Sequence, residues 1–432
     1  KQLNDRSKMY YTPNKENNIF QLIVQYGAGE REFPKLGYAA QLMNNAGIMG
    51  AYEPQELKEE LSKLNATCHV TADEDNLYII MEGYEATLPQ ACQLLSRQIL
   101  MPKLDEKQLA RLKGSAMGMR QQRKDNVSIL NEALRQYMLY GEKSDYIKEL
   151  TDKEIYELQI SELTGDINRA SNYEAKVFFT GTLPFDQVYD ILSKNLPLVA
   201  NERPSNSPQA KEMMPVTENT VYFLPNNDAE QAQIHLYIPM QKADKKDDVL
   251  RSAFNQYFGL DFTGIVLNEI REKRSMAYTA YAFVGTQGIA GKASYLRGYI
   301  GTQNDKANDA LDVLMSLVND MPKNPERIGN IKSYLRQAML TSHPSFRNKA
   351  MELVDLGYRG YTDDPAKENL PKVDALTFDD IVKFYEENIK GKPYCISIMG
   401  NPKDIDLKRL EKFGKVVKLN ERKLFNTKDA LF

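Results

Sequence analysis

NIFQLIVQYGAG, residues 18–29, reads as an apolar strand that breaks at turn residues and opens a helical stretch from about Leu36. AQIHLYIPM (232–240) repeats the pattern and leads into the helical VLRSAFNQYFG (249–259). A second pair follows late in each half: KVFFTGTLPFDQVYDIL (176–192) and YCISIMGNPKDIDLKRL (394–410), each predicting a buried strand, a Gly, a Pro-containing turn and an amphipathic helix. LTGDI (163–167) and LTFDDI (376–381) form a third pair, each predicting a helix opened by a Thr cap. The offsets agree: 234 − 19 = 215, 400 − 181 = 219 and 376 − 163 = 213. Landmarks at nearly constant spacing imply a duplicated domain of roughly 200 residues.

The rest of the chain fits two similar lobes. Residues 95–123 and 309–340 each read as helix, Pro-bearing break, helix, while LYIIMEGY (77–84) and SYLRGYIGT (294–302) read as strands between helical regions. Pro, Asn and Ser crowd 199–218, which predicts a linker. The expected division is a first domain over 1–200, a linker over 201–218 and a second domain over 219–432. The expected class is α+β, each domain a mixed, largely antiparallel sheet flanked by helices.

Bulk composition excludes several functions. The 432 residues are 42% hydrophobic and 27% charged, enough for a filled core. Net charge is −3 with both signs interspersed, and no basic face or reading motif suggests nucleic acid. Three scattered cysteines, Cys68, Cys92 and Cys395, form neither a disulfide framework nor a CxxC site. No apolar run approaches the ~20 residues of a membrane span. The opening KQLNDRSKMYYTPN lacks an initiator Met and an apolar signal core, and reads as the start of a processed or excised piece.

Self-contained catalytic motifs are missing. His69, His235 and His343 lack metal-ligand spacing, and there is no HEXXH, HXXEH, Walker A, GxGxxG or GxSxG sequence. Cys68 and His69 are adjacent on a predicted strand, so they point to opposite faces and make a poor pair. What remains is LNEIREKRSMAYTAYAFV (267–284): a helical run ending in cations, then an alternating aromatic strand. Basic residues at a helix C-terminus suit the helix dipole, and Tyr278 has a plain packing role open to it. Beside that structural reading stands a functional one, in which Arg271 and Tyr278 face a common cleft.

Together, the repeat and this stretch resemble the insulinase/pitrilysin family of zinc metallopeptidases, the inverzincins, which includes mitochondrial processing peptidases. The resemblance implies paired domains that close like a clam shell around a peptide. In active members the first helix carries HXXEH, with a Glu some way downstream. Here that helix is GYAAQLMNNAG (37–47), where Ala40, Met43 and Asn44 occupy the His, Glu and His places, and the distal Glu falls near Met119. The implied metal content of this chain is therefore none, since zinc takes N, O or S donors that Ala and Met do not supply in this role.

The second domain resembles the family positively. FGLDFTGIVLNEIREKRSMAYTAYA (258–282) looks like its Gly-containing helix entry, Arg-rich helix end and Ala-Tyr strand start, with Asp261 and Ser275–Met276 as departures that bear on loop geometry. The family's Arg and Tyr, seven residues apart, match Arg271 and Tyr278; Arg274 is left as a solvated or ion-paired flank. The implied function is the non-zinc-binding half of a metallopeptidase, a C-terminal half or a partner subunit. It would bind extended peptide as an added edge strand and complete the site of an HXXEH-bearing half that holds the zinc. The alternative is a structural or peptide-holding member without catalysis. Opening and closing about the 199–218 linker, and a periplasmic or exported setting, are further expectations from the resemblance alone.

Overall fold

The structure, a computed structural model, describes residues 1–123, 126–196, 198, 203–259 and 263–428. Residues 199–202 of the expected linker and Asp261 lie outside the described residues. Two mixed sheets organise the chain. In the first half, β1 (Lys8–Pro13), β2 (Ile19–Tyr26), β3 (Gly47–Ile48), β4 (Ala66–Ala72), β5 (Leu77–Tyr84), β6 (Pro102–Lys103) and β7 (Ala175–Gly181) appear in chain order. In the second come β8 (Thr220–Pro225), β9 (Gln231–Lys242), β10 (Ala277–Thr286), β11 (Ala293–Gln303), β12 (Cys395–Gly400) and β13 (Lys415–Lys418).

The sheet orders are β4-β5-β2-β7-β1 and β10-β11-β9-β12-β8-β13, with β3 and β6 pairing separately. Only β1–β7 in the first sheet, and β8–β12 and β8–β13 in the second, are parallel. Apart from β13 the two sheets have the same order and the same pattern of directions. That is the structural form of the sequence repeat.

Each sheet buries one face against its own helices. Phe20, Leu22, Val24 and Tyr26 of β2 alternate into the first core, where Leu36, Ala39 and Ala40 of helix Leu36–Met43 meet them. Ile234, Leu236 and Ile238 of β9 do the same against Phe254, Tyr257 and Phe258 of helix Asp248–Phe258. On the opposite faces the halves exchange helices. Helix Val127–Tyr140, from the first half, sets Leu130, Ala133 and Leu134 on Leu224 and Met399, and Met138 and Leu139 on Tyr237 and Cys395. Helix Lys349–Tyr358, from the second half, sets Ala350, Met351 and Val354 on Ile23, Phe178 and Tyr10. Burying a Leu or Met side chain contributes about 1.5–3 kcal/mol, so the first of these contacts alone joins the lobes firmly.

Several local expectations change. Helices Leu88–Leu100 and Glu106–Gln122, and Ala307–Asn319 and Ile328–Thr341, are the expected helix–break–helix pairs. Thr377 caps its helix in a reciprocal box with Asp380. Thr164 does not cap: it lies inside helix Ile160–Ala170 and its hydroxyl donates to the Ile160 carbonyl. After Gly400 the expected amphipathic helix shrinks to one turn, Leu407–Leu410, opened by Asp406. The linker is strapped down rather than loose. Asn206 N–H donates to Gly27 O at 2.8 Å. Any Cβ on Gly27 would lie 1.9 Å from Ser205 Oγ, so only glycine admits this crossing. Lys211 pairs with Asp145 of the first half, while its carbonyl accepts from Gln287 Nε2 of the second at 2.5 Å. A segment anchored to both lobes is not built as a hinge.

Candidate functional site

The helix entering the Arg–Tyr stretch is not a regular α-helix. Ile265–Leu267 is one α-turn that continues as a π-helical turn over Asn268–Glu272, with Lys273 N–H reaching back to Asn268 O at 2.9 Å. Such turns are rare and recur at functional sites. Ser275 then takes φ +51° and Met276 N–H bonds Ile270 O at 3.0 Å, which reverses the chain into β10.

Of the three cations here, two are spoken for. Glu269 accepts from Lys273 Nζ at 2.6 Å and from Arg274, which also donates to the Glu269 carbonyl at 2.7 Å. These hydrogen bonds hold the Glu269 carboxyl below its ordinary pKa. Arg271 stands apart: among the described residues its one ion pair is with Glu272 at 3.5 Å, and its guanidinium carbon lies 5.3 Å from the Tyr278 ring centroid. That stacking contributes roughly 0.5–1 kcal/mol at an exposed site and orients both groups.

Tyr278 owes its exposure to a bulge. Ala277 pairs with Thr302 and Thr279 with Gly301, which leaves Tyr278 without a partner on β11. Ala277 and Ala280 both bury in the core although three residues apart, which a regular strand forbids. The extra residue is pushed outward, so Tyr278 is 76% exposed. The two sequence-predicted site residues are thus together, at the edge of the second sheet, with donors free to face a partner.

The edge beyond them is closed. Ala282 N–H donates to Gly259 O at 3.0 Å, and the Asn255 amide takes both Val284 groups, accepting at 2.6 Å and donating at 3.0 Å. The expected edge-strand addition therefore meets an Ala282 N–H and two Val284 backbone groups that are already bonded. The first lobe has the same clamp: Asn44 donates to Val70 O at 2.9 Å and accepts from Val70 N–H at 2.7 Å on edge strand β4. The offsets, 255 − 44 = 211 and 284 − 70 = 214, follow the repeat. Sequence reading missed these asparagines, although the repeat aligns them.

At the positions that the resemblance sets against HXXEH, Ala40 and Met43 are 1% exposed and offer no suitable donor, while the Asn44 amide is committed to Val70. Met119 is 58% exposed on helix Glu106–Gln122. A cavity of about 580 Å³ opens there beside Met43, Asn44, Leu57, Cys68 and Gln98. Burial pushes the Cys68 thiol up to about 12, so it is not a thiolate at neutral pH. Among the described residues no cluster of three or more His, Cys, Asp or Glu is arranged to hold a metal. These residues do not fit zinc. His69 is exposed, on the opposite side of β4 from the half-buried Cys68, as the strand alternation requires. His235 is buried, its Nε2 3.0 Å from Asn131 Oδ1 of the exchanged helix.

Comparison with known proteins gives a family match over part of the chain. Residues 171–332, a span that contains the Arg271–Tyr278 junction, match the family model described as the peptidase M16 inactive domain. Solved structures share its fold. The peptidase M16 inactive domain from Pseudomonas fluorescens superposes with a TM-score of 0.70 at 16% identity, covering 92% of this chain and 96% of that one. The periplasmic protease PqqL from Escherichia coli gives 0.68 at 13%, over 89% of this chain and 43% of its own. The ferredoxin protease FusC, solved with Arabidopsis ferredoxin, gives 0.69 at 12%, over 91% and 44%. The chain described here thus spans under half the length of PqqL and FusC. No curated protein matches it. No helix among the described residues is long and apolar enough to cross a membrane.

Proposed function

We propose that this chain is the non-zinc-binding half of an insulinase/pitrilysin-type metallopeptidase, fused to or assembled with an HXXEH-bearing half whose active site it completes. Its domains would be residues 1–200 and 219–432, joined by the strapped segment 201–218, with the zinc in the other half. The observation that carries this reading is the Arg271–Tyr278 pair. Tyr278 is bulged out to 76% exposure beneath the one cation of its cluster that Glu269 does not hold. Amide hydrolysis passes through a tetrahedral oxyanion, which a placed donor stabilises more than the ground-state carbonyl. Tyr278 would supply that donor, and the Arg271 fork would hold a neighbouring carbonyl or carboxylate of an extended peptide.

The capped edges at Val70 and Val284 turn the peptide away from strand addition along β10 and toward its solvent face. Ser275 and the π-helical turn set the junction's shape, and the exchanged helices keep it fixed relative to the first lobe. The test is cleavage of a quenched fluorescent peptide mixture by the purified chain alone, with zinc added and then chelated. Silence in both conditions is expected of a half-site. Chelator-sensitive cleavage would show a metal site in this chain and overturn the proposal.

A further inference from the structure

The solvent face of the second sheet continues from Tyr278 as a row of rings. Tyr281 lies directly across from Tyr299, and Tyr299 across from His235. Ring centroids are 5.3 Å apart for Tyr281–Tyr299, 6.0 Å for Tyr281–Phe283 and 5.1 Å for Tyr299–His235. The Tyr299 hydroxyl is fixed by a hydrogen bond to Gln233 Oε1. The exchanged helix Val127–Tyr140 covers the His235 end, where Asn131 meets the imidazole, and stops short of β10. Tyr281, Phe283 and Tyr299 stay half-buried. β10 has no charged residue, and on β11 Arg297 lies directly across from Phe283, so the patch is apolar around Tyr281 with one cation at its Phe283 end.

We infer that this aromatic face is the specificity surface for the peptide held at Arg271 and Tyr278, and that it takes a large apolar or aromatic side chain. The inference rests on the proposed function above. Position follows from strand geometry. At about 3.3 Å per residue, Tyr281 and Phe283 lie roughly 10 and 17 Å along β10 from Tyr278. An extended peptide has the same rise and sends alternate side chains to one face. With its scissile carbonyl at Tyr278, it sets side chains about three and five residues away over the two rings. Closure of the strand edge by Gly259 and Asn255 leaves this face, rather than the edge, as the peptide's route. Aromatic contacts of this kind contribute about 0.5–1.5 kcal/mol beyond area burial.

The chain contains no tryptophan, so the emission of a Trp peptide reports its own binding without a label. The probe is a blocked ten-residue Gly/Ser peptide with a single Trp, titrated with the full chain and with its Phe283→Asp and Tyr281→Ser variants, each checked for an unchanged melting profile. Wild type is expected to blue-shift the emission to saturation, and each variant to weaken the apparent Kd at least about tenfold. Equal binding by wild type and both variants, or no shift with wild type at any concentration reached, overturns the inference. Arg271→Ala separates the two layers: with the assembled peptidase it abolishes cleavage of every peptide, whereas Phe283→Asp raises KM only for peptides with a large apolar residue three to five positions from the cut. Loss of that selectivity without the Arg271 effect would fault the proposed function and spare the docking surface.

Discussion

His235 makes the seat of the exchanged helix acid-sensitive. It is 2% exposed between β9 and helix Val127–Tyr140, with Nε2 on Asn131 and Nδ1 buried without a partner among the described residues. Burial, reinforced by the positive charges of Arg297 and Arg135, pushes its pKa down to about 3. In the unfolded chain the imidazole titrates near 6.5. At pH 7.5 both states are neutral and His235 contributes no pH dependence. Below about 6.5 the unfolded state takes up a proton that the folded state refuses, so stability falls as pH falls, until the folded group itself titrates near 3. The loss approaches about 1.4 kcal/mol per pH unit, and over the ~1.5 units from 6.5 to 5 it reaches roughly 2 kcal/mol. His235→Gln removes the titration and can still donate an amide N–H to Asn131. Urea unfolding at pH 7.5 and pH 5, followed by circular dichroism, gives the two pH-dependent losses. The wild type should lose about 2 kcal/mol more than the variant over that interval, other titrating groups being common to both. Equal losses, within about 0.5 kcal/mol, would mean that His235 is not the group responsible.

Ser275 sits at φ +51°, where an L side chain costs roughly 1 kcal/mol that glycine does not incur. Ser275→Gly should therefore raise stability by about that amount in thermal unfolding, with the Arg271–Tyr278 junction unchanged. The two asparagine clamps should behave as a pair. Asn44→Ala and Asn255→Ala each strip both partners from one valine on an edge strand, costing about 1–3 kcal/mol, and hydrogen exchange should accelerate at Val70 and Val284 respectively.

The fold was legible because the repeat is written in apolar periodicity. Strand, turn and helix recur in both halves, and identical strand order follows in both sheets. The spacing and the resemblance singled out Arg271 and Tyr278, and the structure brings the two side chains together. The bulge that exposes Tyr278 was not, because it arises from where Ala277 and Ala280 must pack, a tertiary demand without local signature. The π-helical turn is likewise set by closure onto β10. Helix Val127–Tyr140 shows an apolar stripe in the sequence, but nothing local says that its stripe faces the other half's sheet. Asn44 read as a lost metal ligand; the structure gives it a positive task, closing the edge at Val70. Thr164 read as a cap from its likeness to Thr377, yet its helix begins four residues earlier and the hydroxyl turns back on Ile160.

Peptide hydrolysis by this chain assembled with the HXXEH-bearing half proposed above, comparing wild type with Tyr278→Phe and Arg271→Ala, tests the half-site reading at its reacting groups. Assembly is confirmed by size-exclusion chromatography in each case. Removing one oxyanion donor typically costs about 100- to 1000-fold in kcat. Tyr278→Phe should lower kcat by about that factor with KM little changed, and Arg271→Ala should abolish activity with assembly intact. Full activity in both variants would contradict it and leave the chain a structural partner.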